Sequence, residues 1–361
     1  MSEKYINLEK WGLNSGDKKI IEAENRPDLI PGRIIFESRN LYDAAAEKGI
    51  VRAALPGKYS EERKPAAGDW VWLRGGSDGN AGLYLIEKIF PPKSSISRKR
   101  AGEKTEEQVI AANIDLVFIV MALDGGRNYN TRALERYAAL AWESGAVPVV
   151  LLNKADLCPD PEAFVLEAEI TSPGVKVIAV SAATGAGLDQ VMSYLKAGVT
   201  AVFIGPSGAG KSTLTNILAG DELQSTGGIR ESDKRGRHTT SSRSLLQLPG
   251  GAVVIDTPGL REIQLWGDVS SLDSVFTEID YYSDFCKFSD CTHTSEPGCA
   301  VISALVEGVI SAERYESYTN LRRELEYLAG RQDQFKQLEK KQKWKSIAKQ
   351  VKMIQKIKRP D

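Results

Sequence analysis

Cysteine is scarce in this chain of 361 residues, and so is net charge of either sign. Four cysteines are too few to staple so long a chain, which excludes a disulfide-built fold and points to a reducing compartment. No segment approaches the ~20 consecutive apolar residues that span a bilayer. Met1 to Gly12 also lack the apolar run of a secretory leader. The expectation is a cytoplasmic protein with no membrane partner, and a monomer by default. A formal net charge of −1 gives no overall attraction for a polyanion, so any nucleic-acid contact has to be local. Internal repeats and low-complexity tracts are absent too, and the composition, 42% hydrophobic and 26% charged, is that of an ordinary globular chain.

The length suffices for several cores, and the residue pattern changes three times. Residues 1–30 show no clear period and read as an extension that packs on something else or stays mobile. Within 31–105, short apolar runs such as Arg33-Ile34-Ile35-Phe36, Trp70-Val71-Trp72-Leu73 and Leu83-Tyr84-Leu85-Ile86 alternate with turn signals, which suggests a small antiparallel barrel. Over 106–265 fully apolar strands, beginning at Leu116–Val120, alternate with amphipathic helices such as Thr131–Ser144. That alternation predicts a parallel or mostly parallel α/β sheet. Residues 266–361 read as helical, interrupted by a cysteine cluster. From Gln334 onward nine lysines and one arginine stand against Glu339 and Asp361, and Trp344, Ile347, Val351 and Ile354 fall at helical steps. That tail is either a local polyanion contact or a solvated charged face.

Gly205-Pro206-Ser207-Gly208-Ala209-Gly210-Lys211-Ser212 fits the phosphate-binding loop pattern. It follows the strand Thr200–Ile204 and precedes a helical run from Thr213, the order the chemistry requires: glycines let backbone N–H groups curl around phosphate oxygens at a helix N-terminus. Lys211 would reach the β- and γ-phosphates, and Ser212 would hold Mg²⁺. Such a loop does not choose the base. Asn153-Lys154-Ala155-Asp156, after the strand Val147–Leu152, supplies the choice: a carboxylate at Asp156 accepts from both N1–H and the amine of guanine, a pair adenine lacks. Alone these four residues read equally as a surface turn; beside a phosphate loop they point to GTP and GDP.

Asp256-Thr-Pro-Gly259 ends a further strand, where Asp256 would hold Mg²⁺ through water and the Gly259 N–H would sense the γ-phosphate. Ser181-Ala182 lies where a backbone contact to the base is expected. In the polar stretch Asp221–Ser242, Thr239 or Thr240 is the candidate second Mg²⁺ ligand. Leu260 stands where many GTPases carry the glutamine that orients the attacking water. His238 is the candidate replacement, open equally to a reading as a solvated loop residue. The base motif precedes the phosphate loop, the reverse of ordinary small GTPases, which indicates a circular permutation.

Cys286-x4-Cys291-x-His293-x5-Cys299 gathers three thiols and an imidazole, a set that suits one structural, tetrahedral Zn²⁺. Cys158 stands apart and reads as a loop thiol.

These motifs, in this order, resemble the YjeQ/RsgA family of bacterial ribosome-assembly GTPases over nearly the whole chain. The residues that carry the likeness are Asn153–Asp156 before Gly205–Ser212, then Gly236-Arg-His238-Thr-Thr240, Asp256–Gly259, and the cysteine cluster with Glu296-Pro-Gly-Cys-Ala-Val301. The resemblance implies an N-terminal OB-fold that binds RNA, a circularly permuted P-loop GTPase domain and a zinc-binding domain with a helical tail. It further implies late maturation of the small ribosomal subunit, with contact to its rRNA and hydrolysis stimulated by that subunit. It also implicates His238 in catalysis, with Lys211 on the phosphates. Arg98, Lys99, Arg100 and the Lys336–Arg359 tail are the candidate RNA contacts.

Overall fold

The computed structural model describes residues 6–38, 41–57, 59, 63–75, 82–99, 107–126, 128–220, 243–256, 272–323 and 325–326. It divides into two compact units. The first comprises 1–97, 109–264 and 274–277, and the second 98–108, 265–273 and 278–361.

In the first unit β1 (Ile30–Ser38), β2 (Leu41–Ala46), β3 (Gly49–Ala54), β4 (Trp70–Gly75) and β5 (Leu83–Ile89) run in the order β1-β2-β3-β5-β4. A β1–β4 pairing closes the ring. All neighbours are antiparallel except β3 and β5, which pair in parallel through Arg52–Ala54 and Leu83–Leu85. Closure with one parallel seam makes this a five-stranded OB-type barrel. Its inward residues include Ile34, Tyr42, Ala44, Val71, Leu73 and Ile86. β2 was not legible as a strand: its Ala44-Ala45-Ala46 run has little β-propensity, and only burial in the barrel makes it one.

The extension packs. A short turn over Leu8–Trp11 and helix α1 (Ser15–Glu24) lie on the barrel, α1 starting in a capping box between Asn14 and Asp17. Leu8 and Leu29 join Trp70, Trp72 and Phe90 in one cluster, and Glu24 accepts from Trp72 Nε1 at 2.7 Å and Lys88 Nζ at 2.6 Å.

After β6 (Ser95–Lys99) and β7 (Glu107–Ala112), which pair as a separate ribbon, the chain enters the α/β layer. This holds β8 (Leu116–Ala122), α2 (Thr131–Glu143), β9 (Val147–Asn153), α3 (Pro161–Thr171), β10 (Lys176–Ala179), α4 (Leu188–Tyr194), β11 (Thr200–Ile204), α5 (Lys211–Ala219), β12 (Arg243–Gln247) and β13 (Val253–Asp256). The strand order is β10-β9-β8-β11-β13-β12. All are parallel except β12, which runs against β13. Every residue of β8 is buried, as expected for a strand covered on both faces. β12 also pairs with β1 through Phe36–Ser244 and Glu37–Arg243, so barrel and α/β layer share one eleven-stranded sheet.

The strand carrying the phosphate loop, β11, sits between β8 and β13 although it comes fourth in the chain among the parallel strands. Cutting the layer before β8 leaves the sheet intact and reorders only the motifs, which is the circular permutation the motif order indicates. In the second unit, α6 (Thr277–Ser283), α7 (Ala300–Val306) and a helix over 312–323 surround the cysteine loop. Among the described residues no helix is long and apolar enough to cross a membrane.

Candidate functional site

Three loops leave the same, C-terminal edge of the parallel strands: those after β9, β10 and β11. In an open α/β sheet this edge is where ligands bind. The phosphate loop needs its glycines. Gly205 has φ +131°, and a Cβ there would lie 2.2 Å from the Val120 carbonyl; at Gly210, φ +96°, a Cβ would lie 2.1 Å from Asn153 Nδ2. Gly210 caps α5 without any side-chain hydrogen bond, so the first N–H groups of that helix are left to an anion. Lys211 Nζ donates to the carbonyls of Gly205 at 2.7 Å and Pro206 at 2.6 Å, which holds the ammonium over the mouth of the loop. Ser207, Gly208, Ser212 and Thr213 are exposed along the loop, and Ala209 is buried beneath it.

Asn153 fastens the three loops together. It is 1% exposed; its Nδ2 donates to the Ala209 carbonyl at 2.8 Å and its Oδ1 accepts from the Ala182 N–H at 3.1 Å. A buried amide with both ends satisfied fixes the loops in one register. Lys154, at φ +60°, turns the chain so that Asn153 points inward while Asp156 stays exposed. Ser181, itself buried, donates through Oγ to Asp156 Oδ1 at 2.5 Å and accepts from the Thr184 N–H. The Ser181 hydroxyl aims the Asp156 carboxylate, and the Ala182 N–H donates to Asn153.

A fourth loop, after β8, was not foreseen. Asp124 Oδ2 lies 2.7 Å from Lys154 Nζ. Nothing in the sequence links position 124 to position 154, because the contact exists only once β8 and β9 are neighbours.

Asp256 ends β13, paired with Ser244. That strand is the parallel neighbour of β11, so its backbone emerges at the same edge. His238, Thr239, Thr240, Gly259 and Leu260 lie outside the described residues, as do Arg100 and the Lys336–Arg359 tail.

In the second unit Cys286, Cys291, His293 and Cys299 present ligand atoms all within 4.8 Å of one another. Cys286 Sγ is 3.8 Å from Cys299 Sγ and 3.5 Å from His293 Nδ1, and Cys299 Sγ is 3.6 Å from His293 Nδ1. Tetrahedral bonds of about 2.3 Å to sulfur and about 2.0–2.1 Å to nitrogen give edges of about 3.8 Å and about 3.6 Å. The three edges among Cys286, His293 and Cys299 match a four-coordinate ion, and Cys291 lies within 4.8 Å of them as the fourth donor. The helix over 312–323 braces it: Tyr315 donates to the His293 carbonyl at 2.5 Å and Arg322 to that of Thr292 at 2.9 Å. Glu296 collects the N–H groups of Thr292, Thr294 and Ser295, and with the Thr292 hydroxyl these hold its carboxyl well below the usual range. Cys158 is a free thiol that takes no part in the cluster.

The model of the RsgA GTPase family matches residues 89–266. Small ribosomal subunit biogenesis GTPase RsgA 2 of Lactiplantibacillus plantarum is 43% identical over 327 residues, covering 89% of this chain and 90% of its own. The chain belongs to the RsgA GTPase family. RsgA 1 of Oceanobacillus iheyensis, with the same descriptive name, is 39% identical over 353 residues, 96% of this chain and 99% of that one. The crystal structure of YjeQ from Thermotoga maritima superposes with a TM-score of 0.62 at 28% identity, covering 82% of this chain and 98% of that one. The structure of YloQ, described as a circularly permuted GTPase, gives a TM-score of 0.60 at 23% identity, a likeness of fold. RsgA GTPases are GTP hydrolases, so this chain is one, and a guanine nucleotide with Mg²⁺ follows from the family.

Proposed function

We propose that this RsgA GTPase binds the small ribosomal subunit and its rRNA late in maturation, and that the subunit stimulates its conversion of GTP to GDP and phosphate. The fastening of the base motif to the phosphate loop through Asn153 is the observation that carries the nucleotide half: it sets base and phosphate subsites at a fixed separation before any ligand arrives, which lowers the ordering cost of binding. The relatives' names carry the ribosomal half.

In this reading Asp156 accepts from the guanine edge, aimed by Ser181. Asn153 and the Ala182 backbone hold the base loop, and Lys154 flanks it. Backbone N–H groups of Gly205 to Thr213, through Pro206, Ser207, Gly208, Ala209 and Gly210, cradle the phosphates with Lys211. Ser212, Asp256 and Thr240 serve Mg²⁺, and Gly259 reads the γ-phosphate. Because Leu260 cannot orient water, His238 takes that part, and turnover is slow until the subunit contributes to the site. Cys286, Cys291, His293 and Cys299 hold one structural Zn²⁺, whose chemistry is to cross-link the loop.

The division of labour follows four segments: an extension (1–30), an RNA-binding barrel (31–105), the GTPase (106–265) and a zinc domain with a basic tail (266–361). Arg98, Lys99, Arg100 and the tail supply salt-dependent contact with rRNA. The protein acts as a cytoplasmic monomer.

The test is GTP turnover with isolated small subunits, with large subunits and ATP as controls. Stimulation by small subunits alone, with ATP left intact, is the expected result. Equal stimulation by large subunits would remove the small-subunit assignment, and comparable ATP turnover would remove the base site.

A further inference from the structure

We propose that Asp124, in the loop after β8, is a positioning residue for the nucleotide, acting by holding Lys154 of the base motif in place. The inference rests on the guanine site proposed above and adds a fourth loop to it.

The Asp124 carboxylate is fully engaged. Oδ2 accepts from Lys154 Nζ at 2.7 Å and from Asn128 Nδ2 at 3.1 Å, and Oδ1 accepts from the Gly126 N–H at 3.2 Å. The bond from Lys154, with Asn128 next, lowers its pKa to about 2, so the anion persists at any physiological pH. The pair is not a freely solvated surface contact, since the Asp124 side chain is 18% exposed and that of Lys154 31%.

The backbone fixes the same geometry. Leu123 N–H donates to the Asn153 carbonyl at 2.8 Å, and Ala122 N–H to that of Asn128 at 3.2 Å. The loop therefore bonds to the base motif on one side. On the other it meets the phosphate loop, where a Cβ built on Gly208 would stand 3.6 Å from Asn128 Nδ2. Asp124 thus bonds to the base motif through Lys154 and to Asn128, the residue that faces the phosphate loop.

Lys154 needs such a partner. A non-glycine residue in the left-handed region is strained, and a long lysine side chain loses much rotamer freedom when it is held. An anion fixed at the far end of the side chain confines the four-carbon stem to one path along the base loop. Lys154 belongs to the base motif, which serves the half of the nucleotide that GDP and GTP share. Its loss should weaken GDP and GTP alike, unlike a defect at the γ-phosphate.

A double-mutant cycle reads this directly, with GDP and a non-hydrolysable GTP analogue as calorimetric probes of the full-length protein. Asp124→Ala should raise both dissociation constants by the same factor, about tenfold, within the coupling range of contacting charged pairs. Asp124→Ala/Lys154→Ala should be no worse than Lys154→Ala alone. Asp124→Asn, which keeps one oxygen for Lys154 while its amide nitrogen takes the place of the oxygen facing Gly126, should recover part of the loss. Additive losses in the cycle, affinity unchanged in Asp124→Ala, or a loss confined to the GTP analogue would each overturn the proposal. Wild-type protein that bound ADP as tightly as GDP would instead overturn the guanine site beneath it.

Discussion

Guanine and adenine differ at two adjacent edge positions, and one carboxylate is proposed to read both. Asp156 is exposed and carries a single hydrogen bond from Ser181, which leaves its other oxygen and the remaining lone pairs to a ligand. Asp156→Asn replaces one acceptor by an amide donor. Donor then meets donor at the guanine amine, while the C2 oxygen of xanthine gains a partner. Competition binding should show preference moving from GTP to xanthosine triphosphate by about a hundredfold or more, since a site built on paired hydrogen bonds discriminates strongly. Unchanged preference would take Asp156 out of the site. At this scale the sequence was informative where spacing is local: four consecutive residues set the base motif and eight the phosphate loop. It was silent on Asp124 and on the Ser181 hydroxyl, because each reaches its partner across a strand pairing that only the fold creates.

Elements that have little packing of their own depend on what ties them together. α6 and α7 are seven residues each, well below the length at which an isolated helix persists in water. Cys299 caps α7 with no side-chain hydrogen bond, and the loop between the two helices holds all four ligands. A bound ion would therefore carry much of this region's order. Purified protein should contain one equivalent of zinc by elemental analysis. Chelation should speed proteolysis within 278–323 and leave GDP affinity unchanged, because the ligands and the nucleotide loops belong to different compact units. Metal-free protein with undiminished protease resistance would refute the structural role. This module was legible because cysteine is rare enough for three in fourteen positions to stand out. β2 was the opposite case: three alanines carry no strand signal, and only their burial in the barrel makes the element visible.

Over the whole first unit, a single buried cation joins segments far apart in sequence. Arg33, 1% exposed, donates through Nη1 to the Trp11 carbonyl of the extension, through Nε to Gly68 of the barrel at 3.2 Å, and through Nη2 to Asn113, at the entry to β8, at 3.1 Å. Burial pulls its pKa down to about 10, while Asp115, Asp17 and Asp69 oppose that pull and keep it charged. Other ties run beside it: among the described residues β1 and β12 share two residue pairs, the Ala112 N–H donates to the Ala67 carbonyl at 3.0 Å, and Asn113 Nδ2 donates to that of Gly68 at 3.0 Å. Arg33→Met keeps most of the apolar stem but removes the charged donor from three carbonyls, of which Gly68 keeps the Asn113 amide at 3.0 Å, while Asp69 and Asp115 keep Arg63 and Lys93. Leaving a buried carbonyl without its donor costs about 1–3 kcal/mol. Arg33→Lys keeps the charge, yet an ammonium cannot span the fork of directions that a guanidinium covers, so it should recover only part of the loss. In urea the wild-type barrel and GTPase layer should unfold together. In Arg33→Met, Trp70 and Trp72 fluorescence, reporting the barrel, should change at lower denaturant than nucleotide release, reporting the α/β layer. Coincident transitions at the wild-type midpoint would show that the β1–β12 pairing and the Ala67–Ala112 and Gly68–Asn113 bonds suffice to couple the halves without the cation.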